Sequence, residues 1–179
     1  MNGSTIFIAG VYGTGKSTIC SALAERLHIP AFSASDLISV INGEQYGANK
    51  AVVDKDNNQV LLATRVQKLN SKNRQIILAG HFCIFDARYD VEVLPESVYP
   101  ALNITQIVLL EAEVQNIISN LRHRNGKDYS EKSVTALIEK EREQSERTSK
   151  QLKCPRYIYK MTFSDRDLNC VASLFCRGG

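Results

Sequence analysis

The chain has 179 residues, 44% hydrophobic and 23% charged, which is one domain's worth with material for a substantial core and excludes extended disorder away from the ends. Its net charge of +3 suits an anionic small ligand and falls short of the strong basic patch that nucleic acid calls for. Five cysteines, an odd number without C-x-x-C spacing, indicate neither a disulfide framework nor a zinc site, and no apolar run approaches the ~18 residues of a membrane span, so a soluble protein of a reducing, cytoplasmic compartment is expected.

Residues 5–9 read as a strand that runs straight into a glycine-rich turn. Ile19, Leu23 and Leu27 then recur every fourth residue, one face of a helix over 17–27. Pro30 closes that unit, and residues 31–32 predict a short second strand. Ser33 and Asp36 have the S-x-x-D form of a capping box, which predicts a helix start. Residues 42–58 are polar and contain glycine, as a loop or arm would. Leu62, Val66 and Leu69 mark a helix over 60–69, and the continuous apolar run 76–79 predicts a strand buried on both faces. A loop rich in Asp and Pro follows; then 107–110 predict a fourth strand, and Val114, Ile117, Ile118 and Leu121 a helix. Residues 122–128 form a basic, glycine-containing turn. A long polar helix is expected over 131–152, with Glu143 and Arg147 one turn apart. Residues 157–159 make a fifth strand, and Ser164 to Asp167 open a last helix carrying Leu168, Val171 and Phe175. Strands alternating with helices imply right-handed parallel crossovers and a single doubly wound, five-stranded α/β domain over 1–179, with ligands beyond the carboxyl ends of its strands.

Gly10-Val11-Tyr12-Gly13-Thr14-Gly15-Lys16-Ser17 matches G-x-x-x-x-G-K-[ST], with Thr18 after it. Glycines let successive backbone N–H groups turn inward and approach a polyphosphate, and the N-terminus of the following helix adds a favourable dipole. Lys16 reaches β- and γ-phosphates in such a loop, and the Ser17 hydroxyl ligates Mg²⁺, so ATP and Mg²⁺ are the expected cofactors. The strand before and the amphipathic helix after supply the context the motif needs.

The extra glycine, Gly13, in a short chain resembles the nucleoside monophosphate kinase superfamily, and the segment Ser33-Ala34-Ser35-Asp36-Leu37-Ile38 is similar to the stretch where those kinases begin an acceptor-binding arm, here 33–75. The turn Gly80-His81-Phe82 after the third strand is similar to the archaeal-type adenylate kinase branch, as is a basic segment after the fourth, here 122–130. The likeness spans most of residues 4–160. It implies a transfer of the ATP γ-phosphoryl to a nucleoside monophosphate or similar small acceptor. It implies acceptor-side roles for Asp36, His81 and Arg88, a lid in which Arg122, Arg124 and Lys127 neutralise the transferred phosphoryl, and an arginine facing the phosphates at Arg147, or at Arg142. Each has a plainer reading: Asp36 as the capping-box acid, His81 as a structural histidine, Arg88 as a solvated side chain between Asp86 and Asp90, and the basic turn as a helix C-terminus satisfying its carbonyls.

The sequence departs from that family at Ala79, where such kinases usually carry an aspartate at the end of the third strand; Asp36 or Asp86 would have to compensate. This keeps open a second reading, a nucleotide-sensing regulator that acts through a protein partner with little turnover. A guanine-reading N-K-x-D segment is missing, since Asn49-Lys50-Ala51-Val52 lacks the aspartate.

Overall fold

The computed structural model describes residues 3–42 and 55–175. In chain order the elements are β1 (Ser4–Ala9), α1 (Lys16–Leu27), β2 (Ala31–Ser33), α2 (Ala34–Asn42), α3 (Lys55–Asn70) and β3 (Gln75–Ala79). A hairpin follows, of β4 (Cys83–Phe85) and β5 (Val91–Val93), then a 3₁₀ helix (Glu96–Leu102) and β6 (Ile104–Glu111). The chain closes with α4 (Val114–Asn125), α5 (Glu131–Leu152), β7 (Arg156–Lys160) and α6 (Arg166–Phe175).

The five expected strands form one sheet in the order β2-β3-β1-β6-β7, every neighbouring pair parallel. Because the chain goes from β1 to β2 at the edge, returns to β3 beside β1, and then crosses to β6 and β7 on the other side, the order reverses at β1. That places the ligand crevice at the carboxyl end of β1, between β3 and β6. Ile6, Phe7 and Ile8 of β1 and Ile76, Ile77 and Leu78 of β3 are buried, as strands covered by helices on both faces must be. Leu23 of α1, Val66 of α3, Leu121 of α4, Val134 of α5 and Val171 of α6 complete the two outer layers of the core.

Three expectations need correction. The stretch read as a loop after β3 is ordered: β4 and β5 pair antiparallel, with Ile84 opposite Glu92, and the 3₁₀ helix carries Tyr99 onto the rings of Phe7 and Phe82. Strands of three residues are too short to show a period, and the turn between them is set by Asp86, whose carboxylate accepts the N–H groups of Arg88 (2.7 Å) and Asp90 (2.9 Å). Second, of the loop or arm read over 42–58, residues 43–54 lie outside the described residues, while 55–58 already belong to α3. Third, Glu143 and Arg147 do not pair; Glu143 accepts from Lys140 (2.8 Å), and Arg147 meets Glu96 (3.2 Å).

The capping signals hold in part. Ser33 Oγ accepts the Asp36 N–H at 3.4 Å, so the S-x-x-D segment does open α2, which starts directly from β2. Gly126, at φ 68°, ends α4 and donates to the Arg122 carbonyl, and Ser130 caps α5 through the Ser133 N–H. The segment 122–130 is therefore the last turn of one helix and the link to the next. Tyr129 in that link stacks on Phe85 (6.0 Å, 23°) and meets Tyr89 edge-on (5.6 Å), which ties the link to the hairpin. Among the described residues no helix is long and apolar enough to cross a membrane.

Candidate active site

Beyond Ala9 the chain can enter the crevice only because it turns through glycines. Gly10, Gly13 and Gly15 have φ of 148°, 81° and 83°. A Cβ on Gly10 would lie 2.4 Å from the Leu110 carbonyl oxygen, and one on Gly13 would press on Ile117 of α4. The loop is held from behind by the buried Thr14, whose Oγ donates to the Val11 carbonyl, and by Asn120 of α4, whose side chain donates to the Gly13 carbonyl. α1 begins at Lys16 with Gly15 as its N-cap and no acid in its first turn, so the positive end of its dipole faces the crevice. Lys16 Nζ lies across the loop and donates to the carbonyls of Gly10 (2.6 Å) and Val11 (2.8 Å). Burial pushes its ammonium down to about 8, with the Glu141 carboxylate opposing that shift. Ser17 and Thr18 are exposed in the first turn of α1.

The second wall is the turn after β3. Ala79 ends the strand, buried, beside Ile8 of β1 and Ser33 of β2. Gly80 donates to the Ile8 carbonyl and has the Phe7 ring where a Cβ would stand. His81 then packs against Tyr12 of the loop, ring centroids 4.4 Å apart, with its Nδ1 buried and without a partner. Burial holds this imidazole well below its ordinary value, helped by the charges of Lys16 and Arg124 and opposed by a hydrogen bond with the Gly10 backbone, so it is neutral.

Sequence reasoning missed the side chain that joins the two walls. Glu141, on α5 and almost fully buried, accepts from Gly10 N (3.1 Å), from Phe82 N (2.9 and 3.0 Å) and from Cys83 N (2.7 Å). Burial raises its carboxyl to about 7, against the pull of those N–H groups and of Lys16. One signal was available: Glu141 falls four residues after Leu137 and seven after Val134, on the stripe by which α5 packs inward. A helix this rich in charge hides that stripe.

The other expected residues are spread more widely. Arg124, exposed near the end of α4, acts electrostatically on Tyr12, Lys16 and His81, and so belongs to the mouth of the loop. Arg122 is instead held by Asp128 within its own segment (2.6 Å), and the Lys127 N–H bonds Asn125. Arg147 is not brought to the loop: α5 runs back along the sheet, and six residues beyond Glu141 is about 9 Å farther on, where it meets Glu96. Arg142 makes a two-pronged bond to Glu111, at the end of β6 (2.6 and 2.7 Å). Asp36 is exposed in the first turn of α2 at the same edge of the sheet, and Arg88 is exposed in the hairpin turn. Asp86 is engaged by that turn.

A last contributor also went unread. Phe163, at φ 57° and 42% exposed, lies beside Gly15. Asp167, expected only to open α6, is buried and holds this strained turn by accepting from Thr162 N, Thr162 Oγ and Phe163 N.

The same architecture occurs in proteins of known structure. A gluconokinase from Sinorhizobium meliloti 1021 superposes with a TM-score of 0.57 at 13% identity, over 98% of this chain and 93% of that one. Shikimate kinase from Bacteroides thetaiotaomicron superposes with a TM-score of 0.61 at 16% identity, over 97% of this chain and 96% of that one. At such identities the likeness is one of fold. No curated protein matches the sequence. A family model described as an AAA domain matches residues 9–137, from the last residue of β1 through the phosphate loop and the second wall into α5. That is well over half of the chain, and the protein belongs to the AAA domain family.

Proposed function

We propose that the protein is an ATP-dependent phosphotransferase that moves the γ-phosphoryl of ATP to a small acceptor. One observation carries the reading. The loop with Lys16 packs against the turn that carries His81, whose ring lies 4.4 Å from that of Tyr12, so a second surface that would hold an acceptor adjoins the loop. A protein that only hydrolysed or sensed nucleotide would have no need of the second. The kinase names of two structures with this fold are consistent with it.

The residues fit the cofactor. Positive-φ glycines with no room for a Cβ make a cradle for oxygens, and the start of α1 supplies backbone donors. Lys16 would exchange the carbonyls of Gly10 and Val11 for β- and γ-phosphate oxygens. Ser17, exposed in the first turn, is the residue that would hold Mg²⁺ together with the phosphates, and the metal would supply charge neutralisation there. Arg124 acts electrostatically on Lys16 and would stabilise the charge spreading over the phosphoryl group; Arg122 can join it only by leaving Asp128. His81 would orient the acceptor, with Asp36 at the same edge. Closure of the 122–130 segment would exclude water and favour transfer over hydrolysis. Phe163 offers an apolar surface beside Gly15.

On the acceptor, the loop and the segment 33–38 support a nucleoside monophosphate, and the Gly80-His81-Phe82 turn with the basic segment 122–130 supports the archaeal adenylate-kinase-like branch. The two neighbours' names bring hydroxyl-bearing small acids into the range to be tested. Free thiols at Cys20, Cys83, Cys154 and Cys170 suit a cytoplasmic setting. The regulator reading rests on Ala79, which leaves the end of β3 without a carboxylate.

The test is an assay of ADP formation from ATP-Mg with nucleoside monophosphates, nucleosides, sugar acids and no acceptor. ADP formation that depends on one acceptor class, and that falls roughly a hundredfold or more in Lys16→Ala, is the expected result. Tight ATP binding with no acceptor effect would sink the transferase and favour the regulator.

A further inference from the structure

The buried carboxylate beside the phosphate loop comes from an unexpected place. Position 79, at the strand end, offers only a methyl group, and the carboxyl group comes instead from helix α5. Its two oxygens collect three backbone donors from segments far apart in sequence: Gly10, the first residue of the loop, and Phe82 and Cys83, which follow His81. The turn bearing His81 is fixed on its other sides as well. Gly80 N–H donates to the Ile8 carbonyl, and Tyr99 Oη donates to the His81 carbonyl at 3.3 Å.

A carboxylate is a poor choice for stability here. Taking it out of water costs several kcal/mol, and an amide or a hydroxyl could serve some of the same donors more cheaply. Its distinctive property is that two oxygens on one side chain accept from both walls at once, at 2.7–3.1 Å. The geometry therefore assigns to Glu141 the part of a positioning residue: it locks the first amide of the phosphate loop and the turn carrying His81 into one register, so that Lys16 and His81 face the same space. This rests on the reading that the loop binds the phosphates of ATP and the turn serves the acceptor.

Glu141→Gln keeps the shape but sets an NH₂ group against one of the N–H donors; Glu141→Asp keeps the charge and withdraws it by one methylene. For Glu141→Gln, hydrogen exchange at the amides of Gly10, Phe82 and Cys83 is expected to accelerate together while β1 and β6 stay protected. The ATP-Mg dissociation constant should rise roughly tenfold or more, and kcat should fall by a similar factor. Glu141→Asp should restore part of the binding. A folded Glu141→Gln protein that loses protection at these amides yet binds ATP and turns over like the wild type overturns the proposal, since Glu141 would then be a structural tie alone. If Glu141→Gln does not fold, Glu141→Asp carries the test: a rise of about threefold or more in the dissociation constant is expected, and wild-type binding overturns the proposal. Binding and amide exchange need no acceptor, so a wild-type protein that transfers nothing would remove the kinase reading and leave this measurement standing.

Discussion

Gly10 and Gly126 both sit at positive φ, but their surroundings differ. The first has the Leu110 carbonyl 2.4 Å from where a Cβ would stand; the second has nothing within 4 Å. Gly10→Ala is expected to cost about 3 kcal/mol or more, because backbone cannot move aside as a side chain would. Gly126→Ala should cost only about 1 kcal/mol, the conformational term alone. Denaturant unfolding of the two variants checks the contrast, and equal losses would mean that φ and not crowding sets the requirement at Gly10. At this scale the sequence was legible where chemistry is local. The residues of the phosphate loop are contiguous, and their spacing reports their geometry. Glu141 was legible only as an acid on the inward stripe of α5, and its role was not, because that role comes from three amides drawn from two other segments.

Among the elements, the turn between β7 and α6 depends most on one side chain. Burial pushes the Asp167 carboxyl up, but hydrogen bonds from Thr162, Tyr159 and the Phe163 N–H outweigh it and hold it below its ordinary value. Its contribution to stability is thus present above the unfolded-state value and is lost as the pH falls through the lower folded value. Asp167→Asn turns an amide NH₂ toward at least one donor and should cost about 2 kcal/mol. It should also weaken ATP binding, since Phe163 beside Gly15 is held by the same carboxylate. Unfolding and binding measured on one preparation test both, and loss of stability with unchanged affinity would separate Phe163 from the nucleotide. Elements with a sustained period were readable: α5 spans 131–152 as its pattern predicts. The hairpin was not, since β4 and β5 are three residues each and Asp86 closes their turn through its side chain.

For the molecule as a whole, the alternation of strands and helices predicts a parallel doubly wound sheet, and the reversal of strand order at β1 explains why the loop, the His81 turn and the end of α4 converge. That convergence has a cost that depends on pH. Glu141 has a folded-state value near 7, above its unfolded one, so between about pH 4.5 and that value the native state holds a proton that the unfolded chain has released. Stability from this group falls as the pH rises through that window, the opposite sign to Asp167. The stability of the wild type relative to Glu141→Gln is therefore expected to decline from about pH 5 to about pH 8. Parallel unfolding curves at both pH values would show that burial does not govern this carboxyl.

The rings of Phe85, Tyr89 and Tyr129 join the hairpin to the link between α4 and α5. Separating such rings costs about 0.5–1.5 kcal/mol per pair beyond the area they bury. A lineage that lost the ring at 129 would leave those at 85 and 89 facing solvent, and one that lost the ring at 85 would loosen the link. These surface positions, distant in the chain, are thus bound to a shared evolutionary history: related sequences should keep the aromatic residues together or exchange them together.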